Sequence, residues 1–233
     1  MDGEKRVYRA NSLTRQERIL GLIYLPVHIF VLPFLISLYA VFSPDPMGEA
    51  EINLVYYVIG MIFVLFFMRR FLRSGFDVLT DNLGRCALSL AMAAAAYFAL
   101  SYLSGAIILM LGDQVSNPNN DAVTEIASQS FGTMKAISVY FAPIVEECLF
   151  RGVIFGFLRK KSRVLTYAVS IVVFGLYHVW QYVLVYGDFT MLLYALQYIP
   201  ASVALCLAYD RSGSIWTGIF MHMGINALAF AVM

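Results

Sequence analysis

The chain is poor in charge. Asp, Glu, Lys and Arg make up 13% of its 233 residues, about half of what soluble domains carry. That shortage excludes an ordinary soluble domain. With 61% of the residues hydrophobic, a core of this size could not hide the apolar surface, and much of it has to face lipid. An excess of either sign is also missing: 16 Lys and Arg against 15 Asp and Glu leave a formal net charge of +1. No basic patch stands outside the loops, so nucleic acid is not an expected partner. Cysteine is scarce. Cys86, Cys148 and Cys206 lie in apolar stretches without metal-ligand spacing, which excludes a disulfide framework and reads as small buried hydrophobes. Cys148 beside two glutamates makes a poor nucleophile, because its thiolate would add a third negative charge. Internal repeats, low-complexity tracts and a separate soluble domain are lacking too.

Long apolar runs are what the chain does have. A helix needs about 20 residues to cross the hydrocarbon, and seven segments qualify: Ile19–Phe42, Asn53–Met68, Cys86–Leu111, Thr133–Leu158, Val164–Val185, Phe189–Tyr209 and Ser214–Val232. The expected class is an all-α, polytopic transmembrane helix bundle of about seven spans. The first run reads as an anchor and not a cleaved signal, since no small-residue cleavage site follows it. Pro200 is expected to kink the sixth span. All Lys and Arg except Lys135 and Arg151 fall on one side if the amino terminus is cytoplasmic, among them Lys5, Arg6, Arg9, Arg69, Arg70, Arg73 and Arg163. Asp45, Glu49, Glu51, Asp113, Asp121, Glu125 and Asp188 fall on the other side. That asymmetry is the positive-inside pattern. Gly112 to Gly132 reads as a long outer loop with a short helix around Ala122–Ser130.

Few ionisable side chains remain inside the spans: Glu146, Glu147, Arg151, His178, His222 and His28. Each costs at least about 2.5–3.5 kcal/mol at mid-membrane, so such residues are usually kept for function. Adjacent glutamates lie about 100° apart on a helix and cannot both avoid the bundle interior. Glu147 and Arg151, four residues apart, share a face and can pair. Glu146 is left without a cation on its own helix, and a carboxylate so placed suits general-base work on water. Phe174 and His178 repeat the four-residue spacing, as do His222 and Asn226. With about 1.5 Å of rise per residue, Glu146, Glu147, His178, His222 and Asn226 all lie roughly 13–21 Å in from one end of their helices. Gly175, Gly218 and Gly224 near them would allow close helix approach. Tyr177, Trp180 and Tyr182 read as part of an aromatic belt, Phe174 as packing against the polar layer, and His28 as structural or water-facing.

Glu146-Glu147-x-x-x-Arg151, Phe174-x-x-x-His178 and His222-x-x-x-Asn226, in that order, resemble the three motifs of the CAAX protease and bacteriocin-processing family of intramembrane glutamic endopeptidases. The resemblance runs from Met134 to the carboxyl terminus. It divides the chain into residues 1–130, anchor spans and outer loop without assignment, and residues 131–233, a protease-like core. It implies that Glu146 and His178 activate a water, that His222 and Asn226 stabilise the oxyanion, and that Glu147 and Arg151 support the first motif. The implied partners are the lipid bilayer and a membrane-embedded or membrane-proximal peptide or protein substrate. No cofactor is expected. Zinc is the open alternative, in which Glu146, His178 and His222 would be ligands. The compact bundle looks most like bacterial or archaeal members, in the plasma membrane of a prokaryote, which are linked to peptide maturation or bacteriocin self-immunity. A membrane scaffold and a proton-coupled transporter are the non-protease alternatives, although inverted repeats of the kind transporters use are not evident.

Overall fold

The computed structural model describes residues 11–110 and 117–233, which are helical apart from short connections. Lys5, Arg6, Arg9 and Asp113, with the first residues of the expected Gly112–Gly132 loop, lie outside the described residues.

Helix α1, Arg15–Phe42, opens on a capping box: Glu17 N donates to Thr14 Oγ1, and Thr14 N donates to Glu17 Oε2 at 2.9 Å. The other Glu17 oxygen accepts from Phe71 N at 2.9 Å, so one buried carboxylate ties the start of the first span to a later helix. Helix α2, Glu49–Phe67, breaks at Met68 into α3, Arg69–Asp81. In α3, Phe71, Leu72, Gly75 and Val78 are buried while Arg69, Arg70 and Arg73 are exposed. A strongly two-faced basic helix of this kind suits a membrane surface and not its interior. Helix α4 is Leu83–Met110.

Helix α5, Pro118–Ala136, kinked at Ser130 (φ −141°, ψ 55°), occupies most of the expected outer loop. Asn-Pro acts there as a cap, not as a turn: the Asn117 side chain accepts from Asn119 N at 3.1 Å, and Pro118 starts the helix, where its missing N–H costs nothing. The rod continues through a π-helical turn, Ile137–Phe141, then α6, Ala142–Glu147, and a second π stretch, Cys148–Phe155. Helices α7, Arg163–Tyr177, and α8, Trp180–Tyr186, meet at a 42° bend. A 3₁₀ helix, Phe189–Tyr198, runs into α9, Ile199–Ser212, and α10, Ile215–Ala231, follows. Pro200 therefore does not kink a helix interior. It stands in the first turn of α9, where 3₁₀ gives way to α and the lost N–H is already an orphan.

Four of these helices are long and apolar enough to cross a membrane: α1, α2, α4 and the rod Phe189–Ser212. The α7–α8 pair makes a fifth if it is one bent span, and α10 is apolar but shorter. The sequence count of seven also included Thr133–Leu158. That segment carries Lys135, Glu146, Glu147 and Arg151 and is interrupted by π turns. It is central to the bundle: every residue from Val145 to Val153 is buried, packed by α1, α2, α7, α9 and α10. An element enclosed by helices can hold charges that lipid would not accept.

Close packing fixes where that element sits. A Cβ on Gly60 would stand 2.9 Å from Val145 Cγ1 and 3.2 Å from His28 Cε1, so α1, α2 and α6 meet at a glycine. A Cβ on Gly175 would likewise stand 2.8 Å from Ala195 O, whereas Gly224 opens onto free space and needs no small residue for contact. Gly60→Leu is expected to overpack this junction and cost about 1–3 kcal/mol, read as a lowered thermal unfolding midpoint in detergent. Gly84→Ala, where a Cβ meets nothing within 4 Å, is expected to leave the midpoint unchanged or slightly raised.

Candidate active site

The polar layer begins with the ion pair. Arg151 Nη1 donates to Glu147 Oε1 at 2.9 Å, both side chains fully buried. The four-residue spacing survives because Glu147 ends the α turn before the π stretch that carries Arg151. Arg151 is held from two further sides: Nη2 donates to Ser202 Oγ on α9 at 3.2 Å, and its carbon lies 4.3 Å from the centre of the Phe174 ring. Glu147 Oε1 also accepts from His222 Nδ1 at 3.0 Å. Gly218, one turn before His222, lets this happen, since a Cβ there would lie 3.1 Å from Glu147 Oε2.

His222 bridges the two glutamates. Its Nδ1 carries the proton given to Glu147, and its Nε2 stands 3.9 Å from Glu146 Oε2. The second Glu146 oxygen, Oε1, accepts from Tyr57 Oη of α2 at 2.7 Å. Glu146 Oε2 accepts no hydrogen bond among the described residues, so the carboxylate is held by one oxygen and presents the other toward His222. Tyr57 belongs to a run of hydroxyls. Tyr177 Oη lies 3.5 Å from Tyr57 Oη and 3.2 Å from Tyr56 Oη, which donates to the His28 carbonyl at 3.0 Å.

His178 joins the group through rings. It lies 4.6 Å from Phe174, which is 5.8 Å from His222, and it stacks on Tyr198 at 4.2 Å. Its Nδ1 faces the Phe174 carbonyl at 2.8 Å. A carbonyl only accepts, so Nδ1 holds the proton and Nε2 keeps its lone pair. No hydrogen bond joins His178 to Glu146 among the described residues. Asn226, one turn beyond His222 on α10, donates from Nδ2 to the Ser138 carbonyl at 2.7 Å.

The structure thus draws Glu146, Glu147, Arg151 and His222 into direct contact, with His178 one ring away and Asn226 on the flank. Tyr177 leaves the expected aromatic belt for the hydroxyl run, because it precedes the break at His178 and turns inward. His28 is fully buried and stacks on Tyr56 at 4.4 Å. Cys148 is fully buried in an apolar cluster with Val153, Phe155 and Cys206. Sequence reasoning missed Tyr57, Ser202 and Ser138. Their only signals were a Tyr-Tyr pair inside an apolar run and two small hydroxyl residues. Among the described residues no three His, Cys, Asp or Glu side chains gather as metal ligands. Glu146, His178 and His222, the set zinc would need, form no such group.

Comparison with known proteins finds peptidases. The family model described as "Type II CAAX prenyl endopeptidase Rce1-like" matches residues 129–228, a stretch that holds all three motifs. The curated protein "Putative membrane peptidase YdiL" of Bacillus subtilis (strain 168) is 28% identical over 151 residues, 63% of this chain and 56% of that protein. The chain therefore spans little more than half of that relative's length. No solved structure matches. Buried Glu146, Glu147, Arg151 and His222 and half-buried His178 and Asn226, inside a helical bundle, all fall within the matched stretch, and in that stretch the chain is similar to the Rce1-like type II CAAX endopeptidases.

Proposed function

We propose that the protein is an intramembrane endopeptidase that hydrolyses a peptide bond with a water activated by Glu146 and His178, in a prokaryotic plasma membrane with its arginine-rich ends cytoplasmic. One observation carries this reading: Glu146 is clamped at Oε1 by Tyr57 while Oε2 is left without a protein donor beside His222 Nε2. A base needs such an uncommitted lone pair in reach of the proton it takes. His178, its Nδ1 proton held by the Phe174 carbonyl, offers Nε2 as the second acceptor for the same water.

In the proposed step Glu146 takes one water proton as the oxygen adds to the substrate carbonyl. Asn226 donates to the oxygen that becomes negative, and His222, held at Nδ1 by Glu147, joins it when Nε2 also carries a proton. The same proton then passes from Glu146 to the departing amine, and the C–N bond breaks. Arg151 fixes Glu147 and does not touch substrate. The peptide or protein substrate is membrane-embedded or membrane-proximal, and its role is maturation of a peptide or protein, or bacteriocin self-immunity.

The test is cleavage of a panel of membrane-proximal peptides by the purified protein in detergent. Glu146→Gln is expected to lower kcat about 10²–10⁴-fold, and Asn226→Ala about 10²–10³-fold, with folding unchanged by circular dichroism. Cleavage that survives Glu146→Gln would sink the mechanism. Activity is expected to withstand chelation; loss restored by zinc would make the protein a metalloprotease.

Tyr57 gives a separate test. Tyr57→Phe removes the hydrogen bond that orients the base but keeps the ring, so kcat is expected to fall about tenfold or more with KM little changed. In a Glu146→Gln background the same change should cost nothing further. Tyr140→Phe, an exposed tyrosine on the π turn of residues 137–141, serves as control and should leave kcat unchanged.

A further inference from the structure

Two backbone carbonyls in this protein receive side-chain donors for the same covalent reason. In an α-helix the carbonyl of residue i accepts from the N–H of residue i+4, and in a π turn from that of residue i+5. At the first site Leu32 N donates to Val27 O, so it is taken from His28 O. The remaining π partner of His28 O would be residue 33, which is proline and has no N–H. At the second site Ala142 N donates to Ile137 O and is taken from Ser138 O. Residue 143, the π partner of Ser138 O, is again proline. A π turn with proline at its far edge thus strips one carbonyl of both backbone donors.

Both carbonyls lie at part-buried contacts between helices, and both are claimed by a side chain from another helix. Tyr56 Oη donates to His28 O at 3.0 Å, and Asn226 Nδ2 donates to Ser138 O at 2.7 Å. A buried carbonyl without a donor is costly, so each device creates a demand that only a donor side chain can meet. Tyr56 meets one beside the hydroxyl run that ends on Glu146. Asn226 meets the other on the far flank of the same site.

We infer that Pro143 is a positioning residue for Asn226. By withholding an N–H it reserves the Ser138 carbonyl for the Asn226 amide. A carbonyl can only accept, so this contact decides which end of the amide is nitrogen, an orientation that packing by shape alone leaves ambiguous. The amide nitrogen has two hydrogens. One is spent on Ser138 O, and the other is aimed by that bond for the oxygen of the reacting peptide. The inference rests on the proposed role of Asn226 at the oxyanion, and it adds the group that aims it. Pro143 is buried and three residues before Glu146, so the residue that positions the oxyanion donor lies on the same turn as the base.

Pro143→Ala returns an N–H that competes for Ser138 O. The expected result is a kcat about tenfold lower, part of the 10²–10³-fold that loss of an oxyanion donor costs, with KM little changed. In an Asn226→Ala background Pro143→Ala should lower kcat no further. Placing lactic acid at position 143, whose ester oxygen donates nothing, should restore kcat in the Asn226 protein although the proline ring is gone. Unchanged kcat in Pro143→Ala, or losses that simply multiply in the double variant, would overturn the inference. Should Pro143→Ala not fold, the wild-type protein decides. With ¹⁵N-labelled asparagine, the two Asn226 Nδ2 hydrogens are expected to exchange at clearly different rates, and equal rates overturn it. Failure of Glu146→Gln to stop cleavage would instead remove the mechanism itself, so the two failures are distinguishable.

Discussion

A guanidinium in the middle of a membrane protein has to be answered by the protein, because the hydrocarbon offers it nothing. Arg151 is fully buried, and the effective penalty for taking such an ion out of water is several kcal/mol. It is met by Glu147 at 2.9 Å, by Ser202 at 3.2 Å and by the face of Phe174. These partners come from its own rod, from α9 and from α7, so the charge dictates that three elements converge on it. Glu147 in turn holds His222 of α10. Once the pair is buried, the surrounding helices have little choice of register.

Backbone satisfaction is the second constraint of a lipid solvent, and the protein turns it to use. Pro33 and Pro143 lie in the interior of helical rods, where proline ordinarily leaves an unmet carbonyl. Both rods shift locally to π geometry, and the freed carbonyls are taken by Tyr56 and Asn226. Irregularity in these helices is therefore confined to places where a side chain from a neighbour completes the hydrogen bonding. At Ser138 that neighbour is one of the motif residues.

The amino-terminal spans are more than anchors. Residues 1–128 lie outside the stretch that the family model matches, yet Tyr57 from α2 makes the direct hydrogen bond to Glu146. His28 of α1 packs on Tyr56 and faces Gly60 beside Val145. Glu146 thus stands between the matched half on one side and the unmatched half on the other. Glu17 ties two elements of the unmatched half, α1 and α3, by holding Phe71 N.

Composition and hydropathy alone determined the class: so much apolar sequence with so little charge has to be a helical membrane protein, and 3.6-residue spacing made Glu147 and Arg151 a pair before any coordinates. The order Glu146-Glu147, His178, His222, Asn226 was equally legible, because the cost of a charge in lipid singles such residues out wherever they occur. The span count was less so. Thr133–Leu158 looks like a span by length, but whether a charged rod faces lipid or is wrapped by neighbours depends on packing. The segment after Gly112 read as a loop because Asn-Pro serves turns and helix caps alike. Only the tertiary structure decided that Tyr57 reaches Glu146, that His222 stands between the glutamates, and that Asn226 is anchored on Ser138. Those contacts join residues 75 to 89 positions apart, and side-chain spacing along one helix carries no information about which residue of another helix will lie opposite.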